Sequence, residues 1–554
     1  MAGRRGHGGA RAACAVVTAL LAGGTGAGAA AAERPAPSPV HQVDVRALAG
    51  DDPLRQVLVA PAGGGCGPAS ETPVTDDADV SVTLAPAPPF TVGAVPAAAW
   101  RQTPVTDPGW QLVFRGFMWM PALAKRAADD HQQLALARIV DQALAFYTDN
   151  PDPGTSTAGW DEGTSMRRLT ALNCLYQLTA DERLASAIAS EVAVLTGPRY
   201  YGPPYHKVHN HGLMANLAVL RAGRLLGRKA WVSTALSRMS TEAPLAFSRL
   251  GTTFEQSSAY QLVNVSLWQQ AARAIEAAAP GAPALPVIRS LVDRAAAVSG
   301  WLTEPDGRIV LIGDADEQAG VTRPGATARS FRDDEAGLGV GRWSWSDPAT
   351  TYYTVRYGPP MRAHGQEDRG GVTWSPRGVR VLANSGRYTY DTASRFLAYQ
   401  DGPAGHDVAI PRGGRVQPRA WVTVTRTALA ATTHQWWLQD RLFGTTHKRA
   451  ILVAPSKGTL TVSDSFPRRT SFAQQWHLDP AWRLAGLDAK AGGARFTRAD
   501  GKVLTVVSTG RLSVLRGSTK PLGGWYFPTA GSRLPNVQLT SSGTGSVRTV
   551  FRLH

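Results

Sequence analysis

The sequence predicts an α+β chain of more than one domain, with helices first and an antiparallel strand region after them. Three observations carry that reading. The chain has 554 residues, more than a single hydrophobic core accommodates. From about residue 100 to 300, apolar residues recur at steps of three and four, the period of a helix with one buried face. Near residue 305 the period changes to short runs of β-branched and aromatic residues bounded by turn residues.

The first residues read as an export signal. Arg4, Arg5 and Arg11 precede the short apolar run "AACAVVTALLAGG" (12–24), and small residues then lead to a cleavage point near Ala32. The run is too short to stay in a membrane as an anchor. Residues 1–32 are therefore expected to be removed and the mature protein to be secreted. Residues 33–95, rich in Ala, Pro and Gly, read as an N-terminal extension or linker. Helices are expected in "QQLALARIVDQALAFY" (132–147), "MRRLTALNCLYQL" (166–178), "LMANLAVLRAGRLLG" (213–227) and "YQLVNVSLWQQAARAIEAA" (260–278). Short breaks between them predict a serial array of helical hairpins over 96–330. Strands are expected at 351–358, 378–386, 419–427, 459–466 and 502–510, within a second domain at 331–554. Such segregation of helices from strands means two domains or one α+β whole, and ligand clefts favour the junction.

The formal net charge is +16, carried mostly by arginine. Arginine suits flat, two-pronged binding of carboxylate, sulfate or phosphate, so an acidic partner is one reading and a plain compositional bias the other. No dense Lys/Arg block is present, which argues against a nucleic-acid arm. Cys14 lies in the signal. Cys66 and Cys174 either pair in an oxidising compartment or stand as two buried thiols. No cysteine metal motif is present.

Four stretches could carry chemistry. Asn210 and His211 open a helix whose apolar face includes Leu213, Leu217 and Leu220. Free N–H groups and the positive dipole end there favour an anion. An N-cap and a surface histidine would explain the same pair. "GTTFEQSSAY" (251–260) places Glu255 before a second helix, capped by Ser257 or Ser258, with Tyr260 in its first turn. "MRAHGQED" (361–368) supplies His364 at the start of the β region, and "GPAGHDVAI" (402–410) supplies His406.

In this order the stretches resemble the heparinase II/III-type polysaccharide lyases, including their alginate- and heparan-directed branches. The resemblance is carried by "NHG" (210–212), "FEQSSAY" (254–260), "AHGQED" (363–368), "ANSGRYTYD" (383–391) and "GHDV" (405–408), and it spans roughly 100–450. It implies a helical (α/α) toroid joined to an antiparallel β-sandwich, with the active site between them. Asn210 and His211 would then neutralise a uronic-acid carboxylate. Tyr260 would act as general acid at the glycosidic oxygen, or also as base, and His364 would assist. Glu255, Tyr390 and His406 are candidate substrate contacts. Trp160 could stack on a sugar face, and Arg167 or Arg168 could hold a carboxylate or sulfate. Core packing for the tryptophan and a solvated helix face for the arginines are the plain alternatives. The implied reaction is β-elimination, in which donors must quench a carboxylate before its neighbouring carbon can lose a proton.

The resemblance also implies a zinc in the β domain, but two of its positions read Gln366 and Asn384, with only His406 retained. Neutral amides are poor zinc ligands. The expectation is therefore no metal or other cofactor, with the three side chains hydrogen-bonded instead. The expected partner is an acidic polysaccharide, with neither nucleic acid nor membrane, and the oligomeric state is open. Two rivals stand beside the lyase. A glycoside hydrolase would draw on Asp161, Glu162, Glu255 or Asp314 as its carboxylate pair. A non-catalytic binder of acidic glycans would need only the arginines.

Overall fold

The computed structural model describes residues 40–44, 66–77, 79–83, 90–91, 100, 108–153, 159–200, 210–323 and 325–554. The export signal at 1–32 and most of the extension at 33–95 lie outside the described residues. Among them, nine helices precede the main sheets: α1 (Pro108–Arg115), α2 (Met120–Asp129), α3 (Gln133–Asp149), α4 (Glu162–Thr179), α5 (Arg183–Thr196), α6 (Asn210–Leu225), α7 (Lys229–Ala246), α8 (Ser258–Ala278) and α9 (Ala284–Trp301). Successive helices pack as hairpins, α4 with α5, α6 with α7 and α8 with α9, and α6 also packs on α4 and α8. One continuous core results from their apolar faces, including Leu172, Leu175, Val219, Leu220, Leu267 and Trp268. No described helix is long and apolar enough to cross a membrane.

The helix starts are set locally. Asp161 caps α4 by accepting from Thr164 N at 2.9 Å. Ser257 caps α8 by accepting from Tyr260 N at 3.3 Å. Each side-chain oxygen satisfies an N–H that the helix itself leaves open.

The α4 turn also corrects two expectations. Trp160 is 1% exposed and its ring lies against Phe146 and Tyr147, so it has no face to offer a sugar. Arg168 is fully buried, ion-paired with Glu191 and bonded to the carbonyls of Arg115 and Gly159. Its guanidinium stacks over Phe146, 4.1 Å from the ring centroid. A buried cation needs this full set of acceptors, and they leave it none for a ligand.

The strand region contains three main antiparallel sheets. Strands 330–333, 338–342, 352–356 and 372–375 pair in chain order. An eight-stranded sheet runs in the order 483–488, 493–497, 503–508, 546–553, 459–465, 447–454, 434–440 and 422–429. A four-stranded sheet runs 511–516, 537–544, 471–477 and 409–411. Strands such as Ser546–Leu553 alternate exposed and buried residues, the pattern of a sheet with one face on a core. That core joins the sheets through Trp374, Trp436, Trp476, Leu539 and Phe551. The end of the helical region is bolted to the sheets by Arg380, which is buried and pairs with Glu304 and Glu317 and donates to Tyr526 Oη. Cys66 and Cys174 are joined in a disulfide across 108 residues, which resolves the alternatives for that pair.

Within the eight-stranded sheet, His447 sits between two carboxylates, Nδ1 2.8 Å from Asp440 and Nε2 2.8 Å from Asp464. Burial alone would lower its pKa, but the bonds to Asp440 and Asp464 carry it up to about 9. An unfolded histidine titrates near 6.5. The stabilisation is therefore fully present below about pH 6.5 and is lost as pH rises through about 9, an effect on the order of 3 kcal/mol. Thermal unfolding of the wild type should show this fall, and His447→Gln should start less stable and flatten the curve across the same window.

Candidate active site

The first residue of α6, Asn210, is buried, and both of its nitrogens are held by one carboxylate. Its backbone N–H donates to Glu255 Oε1 at 2.8 Å and its Nδ2 to Glu255 Oε2 at 2.9 Å. Glu255 is 1% exposed, and burial raises its pKa against the opposing pull of His364 and of hydrogen bonds from Asn264 and Asn210. Glu255 was expected to touch substrate. Its burial and its bonds make it instead the residue that orients Asn210. His211, the next residue on α6, is half-buried, with Nδ1 3.9 Å from Glu162 Oε2. Burial and the neighbouring carboxylates of Asp161 and Glu242 push Glu162 up to about 7.

Tyr260, in the first turn of α8, is 3% exposed. Its ring lies flat on the His364 imidazole, centroids 3.4 Å apart and planes 8° apart. Helical region and strand region thus meet ring on ring. The His364 segment reaches α8 because the backbone between them is cramped. Gly313, at φ +60°, lies where a Cβ would stand 2.5 Å from the carbonyl oxygens of both Gln256 and His364. Only glycine fits such an approach at positive φ. Gln256, itself at φ 58°, clips the same segment, accepting from Arg362 N at 2.8 Å and donating to Pro360 O at 3.0 Å.

Asp314 organises the rest. Its Oδ2 lies 3.1 Å from His364 Nδ1 and accepts from Tyr390 Oη at 3.0 Å, while its Oδ1 accepts from Gln366 Nε2 at 3.1 Å. Its backbone N–H donates to His364 O, and its carbonyl accepts from Ser257 Oγ at 2.7 Å. A carboxylate only accepts, so His364 Nδ1 carries a proton toward Asp314, while its Nε2 lies 3.7 Å from Glu255 Oε2.

The electrostatics favour a protonated phenol. Burial raises Tyr260 well above 10, Tyr390 adds to the rise through a shared hydrogen bond, and Arg387 opposes it. Burial likewise raises Tyr390. Arg167 is buried close enough to Tyr260 to feel its charge. Its Nη1 donates to Gly163 O at 3.0 Å, and burial lowers its pKa to about 10. Its Nε has no partner among the described residues.

Asn210, His211, Glu255, Tyr260, His364 and Tyr390 therefore belong to one neighbourhood, with Arg167 beside it. His406 does not present itself there. It is 0% exposed, bonded through Nε2 to Gln400 O at 2.9 Å, and burial lowers its pKa to about 4. The expectation that it contacts substrate is corrected, since a neutral ring sealed in the interior cannot. At the two other implied zinc positions, Gln366 donates to Asp314 and Asn384 Nδ2 donates to Leu311 O at 2.9 Å. Their amide oxygens have no partner among the described residues, and such neutral donors fit zinc poorly. Among the described residues, no group of three or more His, Cys, Asp or Glu side chains could hold a metal ion. Arg387 and the organising role of Asp314 were not anticipated. Asp314 lies in a turn, "IGDAD", which gives no periodic signal.

Residues 332–552 match the family model described as heparinase II/III-like, C-terminal. The strand region is similar to a heparinase II/III-like C-terminal domain. No curated protein sequence matches the chain. Among solved structures, a heparinase III is similar over 82% of this chain and 78% of its own, with 14% identity and a TM-score of 0.65. A mutant of heparan sulfate lyase HepC from Pedobacter heparinus is similar over 94% of this chain and 85% of its own, with 16% identity and a TM-score of 0.62. At such identities the likeness is one of fold, a helical toroid followed by a heparinase II/III-like β-sandwich domain.

Asp314→Asn keeps the volume at the centre of this site and removes the charge. It should cost about 2 kcal/mol of stability. In nitrogen NMR of histidine-labelled protein, the Nδ1 signal of His364 should shift as its proton loses the Asp314 carboxylate. An unchanged His364 signal would show that Asp314 does not set the ring.

Proposed function

We propose that this protein is a secreted polysaccharide lyase that cleaves a uronic-acid-containing polysaccharide by β-elimination. The observation that carries the reading is the Tyr260–His364 ring pair, set beside Asn210 at the junction of the helical region and the heparinase-like domain. The similar solved structures are named as a heparinase III and a heparan sulfate lyase, which supports the same class of reaction. Secretion is supported by the N-terminal signal pattern and by the Cys66–Cys174 disulfide, a bond suited to an oxidising compartment.

The chemistry runs as a proton transfer at each end of the broken bond. Asn210 Nδ2 gives one hydrogen to Glu255 and turns the other to the substrate carboxylate, where Arg167 adds positive charge and His211 a further hydrogen-bonding group. Drawing charge off the carboxylate stabilises the enolate-like species that forms when the neighbouring carbon loses its proton. His364, oriented by Asp314, takes that proton. Tyr260, kept protonated by burial, gives its own proton to the departing glycosidic oxygen. The C–O bond breaks, a C=C bond forms in the sugar on the other side, and the proton on His364 returns to Tyr260 through solvent. This divides the acid and base roles between Tyr260 and His364. The protein works without a bound metal, in keeping with the amides at Gln366 and Asn384. A hydrolase is disfavoured because Glu255 and Asp314 are each engaged in orienting another side chain.

Incubation with alginate, heparan sulfate, hyaluronan and chondroitin sulfate should raise the ultraviolet absorbance of an unsaturated sugar end on one of them. Tyr260→Phe should lower kcat by about 10²- to 10⁴-fold with KM little changed. New reducing ends without that absorbance would overturn the lyase in favour of a hydrolase. Treatment with EDTA should leave the wild-type rate unchanged, and a loss restored by zinc would refute the metal-free reading.

A further inference from the structure

The loop that joins strand Ala409–Pro411 to strand Val422–Leu429 carries Arg412, Arg415, Arg419 and Trp421. No acidic residue occurs between Val408 and Thr433. All three arginines are exposed, and none forms an ion pair with a described residue. Trp421 is 52% exposed, a large apolar ring left in solvent within a basic surface. A single exposed apolar residue is ordinary. Here the backbone beneath it is clamped. Gln417 N donates to Leu442 O at 2.7 Å, Arg369 Nη1 donates to Ala420 O, and Gly358 and Val422 exchange hydrogen bonds of 2.7 and 3.2 Å.

That clamp ties the loop to the segment bearing His364. His364 follows Gly358 by only six positions, so the two lie within about 20 Å. Between them, exposed Arg362 is held by Gln256, the neighbour of Glu255. Arg362, Arg419 and Trp421 thus stand exposed on segments that backbone hydrogen bonds tie to the one bearing His364.

We propose that Trp421, with Arg362 and Arg419, is an outlying binding surface for an acidic polysaccharide chain whose scissile bond lies at Tyr260 and His364. The identity of the polymer rests on the lyase reading. A sugar ring stacks on the fixed indole, which loses little freedom on binding, and the guanidinium forks take carboxylate or sulfate groups on either side. Such a surface acts on long chains and is out of reach for short ones.

The test compares the wild type, Trp421→Ala and Arg419→Ala, each first confirmed to unfold at the wild-type temperature. Affinity electrophoresis is run through gels containing heparan sulfate, alginate or hyaluronan, and kinetics are measured on the cleaved polymer and its tetrasaccharide. Each variant should lose retardation and raise KM on the polymer about 5- to 20-fold, with tetrasaccharide kinetics unchanged. Equal losses on polymer and tetrasaccharide would overturn the outlying role, as would wild-type behaviour of both variants. Absence of retardation by all three polymers would overturn it too, as would equal retardation by double-stranded DNA at the same salt. If no polymer is cleaved, retardation that depends on Trp421 still upholds the surface while the lyase reading fails.

Discussion

One carboxylate, Asp314, holds the site together. It lies in the passage between the helical region and the strand region, and its atoms reach Ser257 on one side and His364, Gln366 and Tyr390 on the other. Each of those bonds is ordinary in strength. Their value lies in sharing an acceptor, so that the capping residue of α8, the imidazole and the second tyrosine cannot move independently. Glu255 repeats the arrangement on a smaller scale for Asn210. The groups that would meet a substrate are thus set by buried carboxylates that would not, an arrangement that costs desolvation and returns fixed geometry.

Burial then divides the labour between side chains of similar reach. The phenol of Tyr260 is pushed toward its protonated form by loss of water and by Tyr390, and the imidazole beside it has its proton directed to Asp314. In the proposed reaction the two adjacent rings take opposite ends of a proton transfer because of their surroundings rather than their residue type. The amides at Gln366 and Asn384 fit this scheme, for they donate inward to Asp314 and Leu311 and add no further charge near the rings.

What the sequence made legible is what depends on neighbours in the chain. The change from helical to strand period locates the two regions. The caps and first turns of α6 and α8 place Asn210, His211 and Tyr260 at helix mouths, because capping is decided within a few residues. What it left hidden depends on distant packing. Trp160 and Arg168 look like a sugar platform and an anion clamp until Phe146, Tyr147 and Glu191 close over them. His406 has motif residues around it yet lies in the interior. Asp314 sits in a turn whose partners come from three other parts of the chain, so no local pattern marks it. The pairing of Cys66 with Cys174 stayed open for the same reason, since two cysteines fix no distance.

That disulfide spans α1 to α3 and enters α4 near its middle. The chain between Cys66 and Cys174 is a closed covalent ring that contains α1, α2 and α3. A peptide bond cut in that ring, at a surface loop for instance, opens it without parting the chain. The two pieces stay joined through sulfur at full mass until a reductant is added. Helices α1 to α3 are thus held to α4 by two kinds of bond, and breaking one kind alone does not detach them.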